Sequence, residues 1–480
     1  MDLKVSTRIG VGAVLALALV AMMAGTDASR ARNSDASIVT QWNELAIHAP
    51  IGPIEAMSYV ALMQLAIYDA VMAVEGGYEP FAYTGPTNPN ASAEAAAATA
   101  AHRVVVQLLP GVAADAEALY ATQMSAIPDG AAKTDGVAIG EAAAAVIIAL
   151  PLGSQIVPGG PYTPVNDPGG TPDNPSPGVW VPTSPSPPIA TWAPNATPLT
   201  FPNASQFRPG PPPSLDSEAW VMAFNEVRDY GGADSTLRSP EQTETALYYA
   251  EQPAHQPHKS FRRFIAERNL DLVEASRYLA MVSSGMSDAL IACFEAKYYY
   301  QFWRPIQSVP GDDGNPLTQS DPDWNIAIPG TPNHPEYPAA HSCATSTWSL
   351  ITARYLGTDQ INFYGETTVD GRGPRFWPTV QDALDDVANG RIWGGVHYRF
   401  STVAGAGIAN HVVDNLMANH FQATQSSPSP TANPPAPMPP STGSGLADGG
   451  PIAPWWVAVL ATAVIFGGGW FVATRGHRIG

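Results

Sequence analysis

Three groups of residues between Lys297 and His397 have the types and spacing to hold one buried oxyanion and act on it. The first is Lys297 with Arg304-Pro305. Seven positions of helix are about two turns, so both cationic heads are expected on one face, and Pro305 disfavours helical geometry at Arg304, placing its guanidinium at the helix exit. The second is Tyr337-Pro338-Ala339-Ala340-His341, ahead of a helical run. The free N–H groups of Ala340 and His341 then stand at a helix N-terminus, where anions are favoured. The third is Arg391-Ile-Trp-Gly-Gly-Val-His397, in which Gly394 and Gly395 let the chain bend between the two functional side chains. Arginine forks and a lysine point charge neutralise oxyanion oxygens, while imidazoles serve as nucleophile and as acid–base groups. Taken singly, each of these residues is better read as a surface charge or a satisfied core histidine.

Basic residues are scarce enough to make their convergence informative. The chain has 480 residues, 23 Lys and Arg, and a net charge of −19, which argues against a nucleic-acid surface. Its 45% hydrophobic content fits a globular protein with a large core. Cys293 and Cys343 are too few for a disulfide scaffold and lack zinc-type spacing. His255 and His258 form a His-x-x-His with no third ligand nearby, in what reads as a loop, and His411 sits in a helix with no motif around it. No P-loop, EF-hand or His-Glu-x-x-His motif occurs.

The elements that must position the three groups read as helices. Asn43 to Glu75, Ala91 to Leu109 and Ala113 to Leu150 are expected to be helical scaffolding, spanning residues 32–157. Residues 158–213 hold 18 of the 48 prolines, which excludes regular helix and suggests an irregular excursion packed over the pocket mouth through Trp180, Trp192 and Phe207. The catalytic helices follow over 214–425, with Asn269 to Tyr300 the clearest and others at 339–355, 379–389 and 402–420. Strand signal is weak, so the expected class is all-α. At the ends, residues 1–31 have the layout of an export signal, 426–453 of a disordered linker, and 454–474 of a transmembrane helix before the basic tail 475–480. The folded part is therefore expected to be exported and anchored to the outer face of the cell membrane.

The three-part pattern resembles the vanadium-dependent haloperoxidases and the type 2 phosphatidic acid phosphatases (PAP2), which share one anion pocket. Their pattern is Lys-x6-Arg-Pro, then Pro-Ser-Gly-His, then Ser-Arg-x5-His with an aspartate four residues on. Lys297, Arg304, Pro305, Pro338, His341, Arg391 and His397 match it. Ala339 and Ala340 replace Ser-Gly, Gly390 replaces the serine, and Ser401 stands at the aspartate position. The resemblance implies a helical bundle of that type with long proline-rich loops. It makes Lys297, Arg304, Arg391 and the Ala340 N–H the oxyanion contacts, His397 the axial vanadium ligand or phosphate-accepting nucleophile, and His341 the acid–base group. His334, seven before His341, falls beside the halide position and resembles bromoperoxidases there; Phe294 falls where chloroperoxidases have tryptophan.

The expected function is a vanadate-dependent haloperoxidase oxidising bromide or iodide with hydrogen peroxide. The alternatives are a metal-independent acid phosphatase working through phospho-His397, with no cofactor, and a catalytically weak surface protein retaining the fold. Partners are then small molecules: peroxide and halide, or a phosphate ester. Cys293 lies one turn before Lys297 and Cys343 two residues after His341, so a shared pocket brings them together as a disulfide or as two buried thiols.

Overall fold

The computed structural model describes residues 35–160, 162, 176–251 and 253–424. The expected export signal, linker, transmembrane helix and basic tail lie outside the described residues, as do residues 161 and 163–175 of the proline-rich excursion.

Helices dominate, and local signals set their starts. After α1 (Ser37–Ile47), α2 (Pro53–Glu75) begins with proline at its first turn, where a missing N–H costs nothing. The single helix expected over Asn43 to Glu75 is thus two, parted by Pro50 and Pro53. Ser92 caps α3 (Ala93–Leu108) by accepting from the Ala95 N–H. The expected helix from Ala113 to Leu150 is also divided, into α4 (Ala113–Ala126) and α5 (Ala131–Ile148), because Pro128-Asp-Gly130 interrupts it and Gly130 takes φ +151°. Short α6 (Pro151–Gln155) leads to the irregular excursion. Its described part docks on the body: Trp192 Nε1 donates to Glu55 at 2.7 Å, and Asp288 ties the backbone of Leu199 and Thr200.

Then follow α7 (Glu218–Gly231), α8 (Pro240–Tyr248) and α9 (His255–Glu267). The His-x-x-His therefore opens a helix instead of lying in a loop. Asp271 caps α10 (Leu272–Tyr300), 29 residues buried almost throughout. A one-turn α11 (Pro305–Ser308) and α12 (Ala340–Leu356) lead to a hairpin, β1 (Gln360–Gly365) and β2 (Arg375–Thr379), pairing antiparallel with Phe363 opposite Trp377. The sequence reading missed this hairpin. A Thr379 capping box starts α13 (Val380–Trp393), and α14 (Arg399–Asn419) closes the described chain.

One hydrophobic core runs from Val39 to Phe421, so the N-terminal scaffold and the helices bearing the site are packed as a unit. Helices α2 and α10 form its centre, with Ser58 and Ser287 hydroxyls 3.1 Å apart between them. Both are long and apolar enough to cross a membrane, yet 94% and 100% of their apolar windows are buried inside the protein.

Candidate functional site: a buried cationic pocket

The three groups meet, though not by the route expected. Helix α10 stops at Tyr300, Gln301 turns left-handed at φ +45°, and Arg304 is extended. Lys297 and Arg304 therefore do not share a helix face; the chain folds back to bring them together. Lys297 Nζ donates to the carbonyls of Pro335 and Glu336 at 2.9 and 2.8 Å. Arg304 spans the other two groups, donating from Nε to His334 O at 2.7 Å and from Nη1 to Val396 O at 3.0 Å. Arg391, in the last turn of α13, donates from Nη1 to Tyr249 O at 2.6 Å, while its buried Nε has no partner. Gly394 ends that helix and Gly395 turns at φ +77°, so the expected bend between Arg391 and His397 is present.

The electrostatics are those of an anion site. Lys297, Arg304 and Arg391 are essentially inaccessible, at 0%, 0% and 1% exposure. No carboxylate lies within ion-pair distance of any of them among the described residues, whereas Arg208, Arg372 and Arg375 each have one. Burial pulls Lys297 down to about 8, Arg304 to about 10 and Arg391 to about 9; the Arg304 charge adds to the fall at Lys297 and Arg391, while Glu336 opposes it at Lys297 and Arg304. Burial and then these same three charges hold His341 and His397 well below the usual histidine range, so both rings are neutral at pH 7. The contacts of Lys297 with Pro335 and Glu336, and of Arg304 with His334 and Val396, bring the groups together.

His341 opens α12, whose first residue is Ala340; Ala339 is the N-cap and offers no side-chain cap. His341, Ala340, His334 and Phe294 line one mostly apolar cavity with Trp348, Phe363 and Trp377. The cations and His397 are not among its lining residues. The His334 and Phe294 rings lie 4.9 Å apart, and the Arg304 guanidinium meets His334 Nδ1 at 3.0 Å. The positions predicted for the halide surroundings thus share a wall with His341. Cys293 and Cys343 are adjacent, as expected, but as two free, buried thiols in hydrogen-bond contact; the disulfide is not formed. His258 is buried with Nδ1 3.0 Å from Asn43 Nδ2, His255 packs on His48 and His411 on Phe207, and no metal-type cluster occurs among the described residues.

One departure from the family pattern, Gly390, has a visible cause. A Cβ on Gly390 would meet Tyr249 Cδ2 at 2.5 Å, so the tyrosine ring fills the space a serine there would need. Close packing of α14 on the start of α12 requires Gly405, whose Cβ would come within 2.7 Å of Ala339 O. Sequence reasoning missed Glu336 altogether. This fully buried carboxylate accepts from His397 Nδ1 at 2.8 Å and from the Tyr398 N–H at 3.0 Å. Its place three residues before Ala339 carried no signal, because the carboxylate was looked for four residues after His397.

The comparisons agree with this geometry. Residues 277–426 match the family model of the VCPO second helical-bundle domain. Vanadium chloroperoxidase of Curvularia inaequalis is 25% identical over 44% of this chain and 47% of its own, so the chain spans about half the length of that curated relative. A bacterial vanadium-dependent iodoperoxidase superposes with a TM-score of 0.67 at 22% identity, covering 82% of this chain and 97% of that one. An apo bacterial vanadium-dependent chloroperoxidase does so at 0.59 and 17%, covering 78% and 96%. The family match over residues 277–426 and the shared fold support placing the chain in the vanadium haloperoxidase/PAP2-like superfamily.

Proposed function

We infer that this chain is a vanadate-dependent haloperoxidase, exported and membrane-tethered, that oxidises bromide or iodide with hydrogen peroxide. The observation carrying this reading is the trio of buried cations, none in an ion pair among the described residues, beside two neutral histidines. A tetrahedral oxyanion suits them: among the described residues the three buried positive charges have a single nearby carboxylate, Glu336, and no direct ion pair, Arg391 Nε is a buried donor without an acceptor, and the first N–H groups of α12 stand beside His341. Lys297, Arg304, Arg391 and the Ala340 N–H would hold its oxygens, and His397 Nε2 would bond the central atom. When bound, vanadate supplies the Lewis acidity that makes peroxide electrophilic toward halide.

The protein's own part is proton handling and exclusion of water. His341, held neutral, is ready to take the proton of incoming hydrogen peroxide. His334 and Phe294, on the same cavity wall, form the surroundings the halide enters. The balance is halide plus hydrogen peroxide plus one proton giving hypohalous acid and water. A second reading, the acid phosphatase, draws support from the Glu336–His397 hydrogen bond, which makes Nε2 more basic and hence a better nucleophile. It requires His341 to enter protonated for the leaving alcohol, and the pocket disfavours that form. The test is to add orthovanadate to metal-free protein and assay halide oxidation beside phosphate-ester hydrolysis. Vanadate-dependent halide oxidation is expected; hydrolysis that vanadate inhibits, with no oxidation, overturns the peroxidase.

A further inference from the structure

We propose that Glu336 is the positioning residue of His397, supplying from the second motif group the carboxylate that is absent at Ser401. The inference rests on the reading of His397 as the group that faces the anion. Glu336 touches all three groups at once. Its backbone N–H donates to Phe302 O at 2.9 Å, its carbonyl accepts from Lys297 Nζ at 2.8 Å, and its Oε1 receives His397 Nδ1 and the Tyr398 N–H at 2.8 and 3.0 Å. Glu336 is 0% exposed and His397 1%, so water does not compete for the contact.

The chemistry follows from the two ring nitrogens. Burial pushes the Glu336 carboxyl up to about 7 against the pull of the Lys297 and Arg304 charges; in its ionised form it accepts and cannot donate, so the contact then puts the ring proton on Nδ1 and leaves Nε2 with its lone pair. Nε2 has no hydrogen-bond partner among the described residues. Glu336 therefore fixes both the tautomer and the tilt of the ring. Both contacts fall on Oε1, and Oε2 is buried without a partner among the described residues. Ser401, 0% exposed, lies against this residue, with its Oγ 3.5 Å from Glu336 O. A carboxylate at 401 would approach the same ring from the neighbouring helix.

Glu336→Gln keeps the shape and changes the chemistry, because the amide can turn its NH2 toward Nδ1 and drive the proton to Nε2. In the full chain, orthovanadate should bind at least about tenfold more weakly to this variant. Inorganic phosphate, held through the cations alone, should bind equally well or tighter, since a negative charge has been removed. The 15N shifts of His397 should move from the Nδ1–H toward the Nε2–H pattern. Ser401→Asp should restore vanadate affinity in the Glu336→Gln background, yet weaken both anions in the wild type by crowding two carboxylates. Unchanged vanadate affinity in Glu336→Gln, a parallel loss of both anions, or unchanged 15N shifts overturns the proposal. A double variant no better than Glu336→Gln overturns the exchange between positions 336 and 401. His397→Ala separates the two levels: if it too retains vanadate affinity, the site reading fails; if it loses vanadate while Glu336→Gln does not, only the positioning role fails.

Discussion

Helix α13 carries two charges with opposite circumstances, Asp386 partly buried and Arg391 fully buried. Asp386 accepts from Arg375 Nε and Nη2 at 2.7 and 2.5 Å, from Trp377 Nε1 at 3.0 Å and from the Tyr249 hydroxyl at 3.1 Å. Five residues on, Arg391 has one carbonyl partner, a bare Nε and no carboxylate. Tyr249 touches both, through its hydroxyl at one end and its carbonyl at the other. The saturated charge locks the hairpin to the helix. The unsaturated one leaves a donor and a positive charge to spend on something that is not protein. Here satisfaction and burial run in opposite directions: the partly exposed Asp386 is saturated with donors, whereas the fully buried Arg391 keeps a donor free.

The sharpest break of that contrast is at the histidines. His397→Ala should abolish activity together with vanadate binding. His341→Ala should lower turnover on the order of a hundredfold while vanadate still binds, as expected for a lost proton-transfer group. Parallel loss of binding in both would merge roles that are assigned separately here. Next in size comes the contrast on α13 itself. Asp386→Ala should lower unfolding stability by about 3 kcal/mol, since it strands an arginine and two other donors. Arg391→Met should leave anion-free stability unchanged or improved, while costing about tenfold or more in phosphate affinity. Denaturant titrations with and without phosphate read both, and a destabilised Arg391→Met protein would make that arginine part of the scaffold.

Ala339→Ser should tighten vanadate binding by about 1.5 to 3 kcal/mol, because a hydroxyl at the N-cap adds a donor toward a charged group. Ser342 Oγ, three residues on, is buried without a hydrogen-bond partner among the described residues, and an unchanged dissociation constant would show that it already serves. The smallest effect is on pH. Lys297 sits at about 8 in the folded protein, below the ordinary 10.5. Phosphate affinity should therefore be governed by other groups below about pH 8 and lose up to about tenfold per unit above it, as the ammonium discharges. The sign for stability is the reverse: between about 8 and 10.5 the unfolded chain holds the proton that the folded one has released, so this group's contribution to anion-free stability rises with pH. Lys297→Met should remove both trends.

The motif residues were legible because each group carries its spacing within one short stretch: Lys297 to Arg304, Pro338 to His341, Arg391 to His397. Glu336 was not, because its function depends on a contact with His397 across 61 residues that no local period encodes. Tyr249 likewise enters from a distant helix end to meet Arg391. The long helices showed themselves by period, and their misplaced ends by overlooked breakers such as Pro50, Pro53 and Pro128-Asp-Gly130. The hairpin was missed because Phe363 and Trp377 pair across a turn of polar, glycine-containing sequence that reads as loop.

The tyrosine ring packed against Gly390 also constrains the order in which this pocket could be rewritten. Gly390→Ser introduced first would push aside the residue whose carbonyl receives Arg391 and whose hydroxyl meets Asp386, disturbing pocket and scaffold together. Tyr249→Ala introduced first opens the room and lets the serine follow. The path between this sequence and one with serine at 390 thus has a preferred direction, and a library varying 249 and 390 together should recover functional pairs that single-site libraries at either position discard.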